Sequence, residues 1–187
     1  MLRAIHRTFV GCTRRLFGDR EGAAIVEFAL IMPLLLFLYL GTIEASRLIS
    51  YDRRLTNIAA ALGDLVARSK GDITMAELND YFTAAAVVIS PMQVADLKQT
   101  VTCVYVDENG VTNVEWSYAY NGGTVHTVDT TYPLPSEFIT IAKEQYVIVS
   151  IAEMEYEPLT TYVFDPGLQL KGEYYHLPRY GAYFEVI

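Results

Sequence analysis

The chain has 187 residues, 52% of them hydrophobic and 19% charged, with 14 tyrosines, a composition that excludes a disordered chain and suits one modest packed domain. Its formal net charge of −8 is unevenly spread: residues 1–22 hold five arginines against two acids, a net of +3, and the remainder holds nine basic against twenty acidic residues, a net of −11. The acidic body argues against a phosphate backbone as partner, so no nucleic acid is expected.

Residues 1–22 read as a basic leader, with Arg3, Arg7, Arg14, Arg15 and Arg20 against Asp19 and Glu21. From Ala23 to Ile43 follows an apolar run of 21 residues whose one charge is Glu27. A spanning helix needs about 20 such residues, so 23–43 is predicted to cross a membrane. The arginines predict a cytoplasmic N-terminus and send the C-terminal body outward. The chain is therefore predicted to be single-pass, with its C-terminal domain on the far side of the membrane. Two export signals compete. A cleaved signal peptide would have a shorter apolar region and a small-x-small cleavage site, but Glu44, Ser46 and Arg47 follow here. Thr13-Arg14-Arg15-Leu16-Phe17 matches part of a twin-arginine motif, whose usual sequel is less apolar than this one.

Glu27 needs a reason. A carboxylate costs about 2.5–3.5 kcal/mol at mid-membrane and less near the interface. Either it reaches the headgroup region or it meets a partner charge. Its neighbours are Asp19-Arg20-Glu21-Gly22-Ala23-Ala24-Ile25-Val26-Glu27-Phe28. This string resembles the type IV prepilin processing site, with a glycine before the cut and a glutamate fifth after it. Glu27-Phe28 resembles the Glu-Tyr pair of Flp pilins. The longer stretch, through Ala29-Leu30-Ile31-Met32-Pro33 and Leu34-Leu35-Leu36, is similar to the opening of the TadE/TadG-like minor pseudopilins of the tight adherence system. Glu153-Met154-Glu155-Tyr156-Glu157-Pro158-Leu159 resembles that family's late strand and turn, and Leu177-Pro178-Arg179 echoes its Pro-Arg element.

The resemblance implies cleavage between Gly22 and Ala23 by a prepilin peptidase. Glycine suits that position, because a protease must draw extended backbone close and glycine has no side chain in the way. The new α-amine of Ala23 would pair with Glu27 of a neighbouring subunit, with Phe28 beside it, and neutralise two charges in an apolar setting. The implied location is a bacterial inner membrane with the C-terminal domain periplasmic, and the implied partners are other pilins or pseudopilins and the pilus assembly platform.

Helical pattern continues beyond the membrane. Leu48, Tyr51, Leu55, Ile58, Leu62 and Leu65 form an a/d stripe, and Ser69-Lys70-Gly71-Asp72 ends it. Residues 44–70 are therefore the amphipathic continuation of a helix of about 46 residues, near 70 Å at 1.5 Å per residue, which Pro33 is placed to kink. The stripe has two readings: packing on this chain's own sheet, or a coiled contact with another pseudopilin.

Residues 71–187 make an outer domain. Thr74-Met75-Ala76-Glu77 is a capping box opening a helix over about 74–89, with Leu78, Phe82, Ala85 and Ile89 on one face, and Pro91 ends it. Gln99–Val106 and Val111–Tyr120 read as strands joined by an Asn109-Gly110 hairpin turn. Tyr132-Pro133-Leu134-Pro135 is loop, Ser136 starts a short helix to about Ala142, and Tyr146–Tyr156 is the longest strand, with Val147, Val149 and Ile151 opposite Ile148, Ser150 and Ala152. A last strand or hairpin falls within 159–175, around Asp165-Pro166-Gly167. The fold class is α+β: a long N-terminal transmembrane and amphipathic helix packed on one face of a small antiparallel sheet, in agreement with a pilin-like roll.

Catalytic patterns are missing. His6, His126 and His176 are far apart, and no HExxH, CxxC, GxSxG or P-loop occurs. Cys12 and Cys103 flank the span and cannot pair within one chain; Cys103 reads as a small buried hydrophobe, with an intermolecular disulfide as the other reading. Asp107-Glu108-Asn109 lacks calcium-loop spacing and reads as a solvated turn. Tyr174, Tyr175, His176, Tyr180 and Tyr183 read as sheet or core, or else as an aromatic contact surface. No metal, cofactor or enzymatic activity is expected. The function expected is that of a minor pseudopilin acting in assembly of a tight adherence pilus. The alternative is an uncleaved, single-pass anchored periplasmic binding module.

Overall fold

The computed structural model describes residues 20–87, 96–160, 167–180 and 183–187. Ile89, Pro91, Asp165, Pro166 and the leader before Arg20 lie outside these ranges. The chain divides into two units, one reaching Ala45 and the other Ser46–Ile187. Helix α1 (Arg20–Ala67) runs unbroken through Pro33. Leucine, alanine and isoleucine favour it, and Pro33 costs it one donor.

In the first unit α1 is apolar all round. Its most apolar 18-residue window has no buried residue, and Ile25, Leu30, Leu34, Leu38 and Tyr39 are all more than half exposed. A core helix of a water-soluble domain would bury that surface. It is the one helix among the described residues long and apolar enough to cross a membrane. Its polar groups are satisfied locally: the Thr42 hydroxyl donates to the Leu38 carbonyl at 2.8 Å, as a hydroxyl in an apolar setting must.

In the second unit, Leu55, Ile58, Ala59, Leu62, Val66 and Ala67 of α1 are buried. All but Ala67 join Leu78, Phe82 and Ala85 of α2 (Met75–Ala86) and sheet residues Val101, Cys103, Trp116, Ile148, Ala152 and Met154 in one core. Leu55, Ile58 and Leu62 of the stripe thus pack within this chain's own domain. Helix α2 starts as its sequence dictates: the Thr74 side chain accepts from Glu77 N, and the Glu77 carboxylate accepts from Thr74 N.

The sheet has four antiparallel strands, β1 (Lys98–Val106), β2 (Thr112–Tyr120), β3 (Gln145–Tyr156) and β4 (Leu168–His176), in the order β2-β1-β3-β4. Opposite Cys103 and Val104, β2 carries an extra residue, Glu115, which is a bulge. The β1–β2 turn falls at Asp107-Glu108-Asn109-Gly110, where it is expected. Asn109 keeps negative φ; only Gly110 is left-handed, at +86°. Asp107 governs the geometry, its Oδ1 accepting from the N–H groups of Asn109 and Val111. An acceptor two residues ahead of Asn109 thus overrides the dipeptide preference.

The other face of the sheet is covered as well. Val104, Val106, Val114, Val147, Val149 and Ile151 pack under Tyr132, Leu134 and Ala142, which flank the short helix α3 (Ser136–Ile141). The physical reason lies in β1 and β3: their valines and isoleucines are apolar on both sides, so neither side is stable facing water.

Helix α1 lies close upon the sheet where side chains are smallest. A Cβ at Gly172 of β4 would stand 2.6 Å from the Leu55 carbonyl oxygen and closer still to the Leu55 carbon and Thr56 nitrogen. One at Gly63 would meet Ser150 Oγ and His176 Nδ1. The buried Ser150 hydroxyl donates to the Ala59 carbonyl of α1 at 2.7 Å. The C-terminal segment then closes over the helix end. Arg179 N–H donates to the Ala67 carbonyl at 2.9 Å, and its guanidinium binds Asp64 at 2.7 Å. Trp116 Nε1 donates to the Phe184 carbonyl, and Ile187 exchanges backbone bonds with Ile73 and Met75. Free carbonyls at a helix C-terminus favour a nearby cation and donor.

Candidate functional site

Gly22 and Ala23 are helical, in the first turn of α1. Nothing lies within 4 Å of a Cβ built on Gly22. Glu27 sits four residues after Ala23, on the same side of the helix. It is exposed and has no partner among the described residues. Phe28 is 62% exposed. Ala23, Glu27 and Phe28 are thus exposed, and Gly22 is half-buried.

The stripe residues divide. Leu55, Ile58 and Leu62 are completely buried, whereas Leu48, Tyr51 and Leu65 are half-buried. Tyr51 meets Tyr156 edge-on at 5.2 Å between ring centres. Val66, outside the predicted stripe, is buried in place of Leu65. A straight helix of 3.6 residues per turn drifts about 20° per heptad from a strict seven-residue repeat, so the buried face has moved on by one residue at the last turn. Glu44, four residues before Leu48, is buried too, which its charge had hidden.

With the helix and its exposed start described, comparison with known proteins covers that same region. Residues 22–63 match the TadE-like protein family. The match begins at Gly22 and takes in Glu27, Phe28, Pro33 and the stripe through Leu62, under a quarter of the chain. No curated protein and no solved structure gives a match. The rest of the domain therefore stands on its own geometry.

Outside the TadE-like segment, the chemistry is that of a packed domain. Cys103 is free and buried, and burial, reinforced by Glu115, pushes its thiol up, which keeps it protonated and inert. His126 and His176 lie on opposite faces of the sheet. His126 binds Thr102 Oγ1 through Nδ1, while His176 stands against Gly63. Among the described residues no three His, Cys, Asp or Glu side chains gather as a metal site. The tyrosines, read as sheet or core or else as one contact surface, are dispersed: Tyr183 packs on Tyr146, Lys70 lies over Tyr180, and Tyr175 packs on Phe138 of the other face.

Burial holds both histidines below the ordinary imidazole range; Lys171 adds to this at His126, and Glu173 and Glu153 oppose it. A folded pKa below the unfolded one means that the unfolded chain takes up protons first. The stabilisation is complete above about pH 6.5 and is lost as pH falls through the lower folded values. We expect unfolding midpoints to drop between pH 7 and pH 5, by at most about 1.4 kcal/mol per pH unit for each histidine and less because both are partly solvated. A His126→Asn, His176→Asn double variant should flatten that dependence in melts followed by circular dichroism. Below it, a second loss is expected as Glu173 and Asp64 protonate. Burial would raise Glu173, but hydrogen bonds from Lys171, Tyr132 and Tyr175 outweigh it; Arg68 and Arg179 lower Asp64.

Proposed function

We propose that the protein is a minor pseudopilin-like structural component, not an enzyme, acting in assembly of a tight adherence pilus. The observation that carries this reading is the exposed, apolar first half of α1, with Glu27 five residues after Gly22, in a segment that matches the TadE-like family. The helix anchors the chain in the inner membrane, with the arginine-rich leader cytoplasmic and the acidic domain periplasmic. Prepilin peptidase cuts after Gly22. The freed amine of Ala23 then pairs with Glu27 of an adjacent pilin or pseudopilin, beside Phe28, within the assembly platform. Because the buried side of the outer half of α1 is used by this chain's own sheet, the exposed apolar half is left for neighbouring helices.

The mass of the mature N-terminus tests it. In cells with active prepilin peptidase the chain should begin at Ala23, and Gly22→Val should retain the leader. An intact leader in wild type would instead support the uncleaved anchored module. Glu27→Ala should still insert and be cut, yet reduce piliation strongly; normal piliation would remove the pairing role.

A further inference from the structure

A cleft on the sheet face away from α1 has no part in the reading above. Its volume is about 350 Å³, and it lies between residues 126–133 and strand β4, within the usual range of about 300–1,000 Å³ for small-ligand sites. Both walls are fixed by hydrogen bonds. Val114 N donates to the Thr130 carbonyl and Asp129 N to the Val114 carbonyl, both at 2.9 Å, and Thr112 Oγ1 donates to the Tyr132 carbonyl. His126 is fixed twice: its backbone N–H donates to Ser117 Oγ at 3.1 Å, and Nδ1 pairs with the buried Thr102 hydroxyl at 2.9 Å. That hydroxyl is wholly inside the sheet and cannot act as a nucleophile.

Opposite stands Glu173. Its Oε1 accepts from the hydroxyls of Tyr132 at 2.7 Å and Tyr175 at 2.8 Å, and its Oε2 lies 2.8 Å from Lys171 Nζ. The two opposite charges cancel within the cleft. A bound anion would face Glu173, and a bound cation would face Lys171. An apolar ligand would strand the carboxylate, the ammonium and the hydroxyls of Thr127, Thr130 and Thr131 without water. A neutral, hydroxyl-rich ligand brings no net charge, and its hydroxyls can hydrogen-bond to these groups. It would also use the aromatic wall, where His126 and Tyr132 meet edge-on at 4.9 Å, because a sugar ring offers a C–H face to aromatic groups and hydroxyls to polar ones.

We propose that this cleft is a binding site for a neutral saccharide unit, seated beside the Tyr132–Glu173 hydrogen bond that joins its two walls, against His126, Tyr132, Lys171 and Tyr175. Two sources share this chemistry: an N-acetylated amino-sugar glycan and a plain glucose polymer. The test uses the full chain in phosphocholine micelles, since sugar-headed detergents would compete. Saturation-transfer NMR is recorded with chitotriose for the first source and maltotriose for the second. At least one should receive saturation from the protein at millimolar concentration; which one responds identifies the source. Glu173→Gln should weaken binding about tenfold or more. The exposed Thr131, replaced by Arg to occupy the mouth of the cleft, should abolish binding while the thermal melt stays unchanged. Absence of binding by both sugars, or binding undiminished in Thr131→Arg, overturns the site. Thr131→Arg decides the matter even if Glu173→Gln fails to fold.

Discussion

Gly172→Val is expected to destabilise the domain by about 3 kcal/mol or more, because overfilling a packed contact costs about 1–3 kcal/mol and here the obstruction is backbone. The first atom of any side chain at 172 would lie within 2.6 Å of the Leu55 carbonyl oxygen and nearer to two other backbone atoms of α1. Backbone in the middle of a helix cannot rotate aside as a side chain does. Either α1 lifts from β4, or the strand leaves β3. In either case the burial of Leu55 and the bond from Ser150 to Ala59 are lost with it. The melting temperature of the full chain should fall by roughly 6–12 °C. Gly172→Ala is the informative companion. Strand propensity alone favours both alanine and valine over glycine, so it predicts stabilisation. The close approach predicts the opposite sign for both, and most of the full effect for alanine, since its Cβ is the clashing atom. A melt of Gly172→Ala equal to or above wild type would show that the helix is free to move away.

Leu55→Ala and Leu62→Ala are expected to cost about 2–5 kcal/mol each, the range for emptying a fully buried leucine site. Both side chains are completely buried among residues of this chain. Denaturant unfolding of the two single variants should therefore show loss of the folded domain itself. A variant that kept the domain intact but failed in partner pull-down would assign those leucines to a contact between subunits. Ile49, 54% exposed, serves as the control; Ile49→Ala should change stability by less than about 0.5 kcal/mol. The drift of the stripe adds a finer test. Val66→Ala should be more damaging than Leu65→Ala, although leucine is the larger residue, because Val66 is buried and Leu65 is half in water.

Elements written in local signals were legible. The helix expected over about 23–68 is Arg20–Ala67, and the capping box at Thr74 has both of its bonds. The strands around Val101, Val114 and Ile148 lie within a residue or two of where β-branched runs and turn residues put them. Each depends on contacts a few residues apart, or on a repeat set by one helix or strand. The same holds for Gly22 and Glu27, whose spacing and apolar setting are properties of one short segment, and the family match falls on that segment.

The sequence by itself determined a basic N-terminal stretch, an apolar helix carrying one carboxylate, an amphipathic continuation and an α+β domain. Tertiary structure alone decided how the two are locked. Gly172 and Gly63 look like weak points in a strand and a helix until β4 and α1 are brought together. Arg179 looks like a solvated cation until it is seen to bind Asp64, 115 residues earlier, and cap Ala67. Likewise, nothing near Glu173 in sequence announces His126 and Tyr132 across the cleft. The reason is common to all of them. Periodicity reports which side of an element seeks burial, but the size, charge and hydrogen bonds required at one position are set by the element that arrives there, and that element comes from a distant part of the chain.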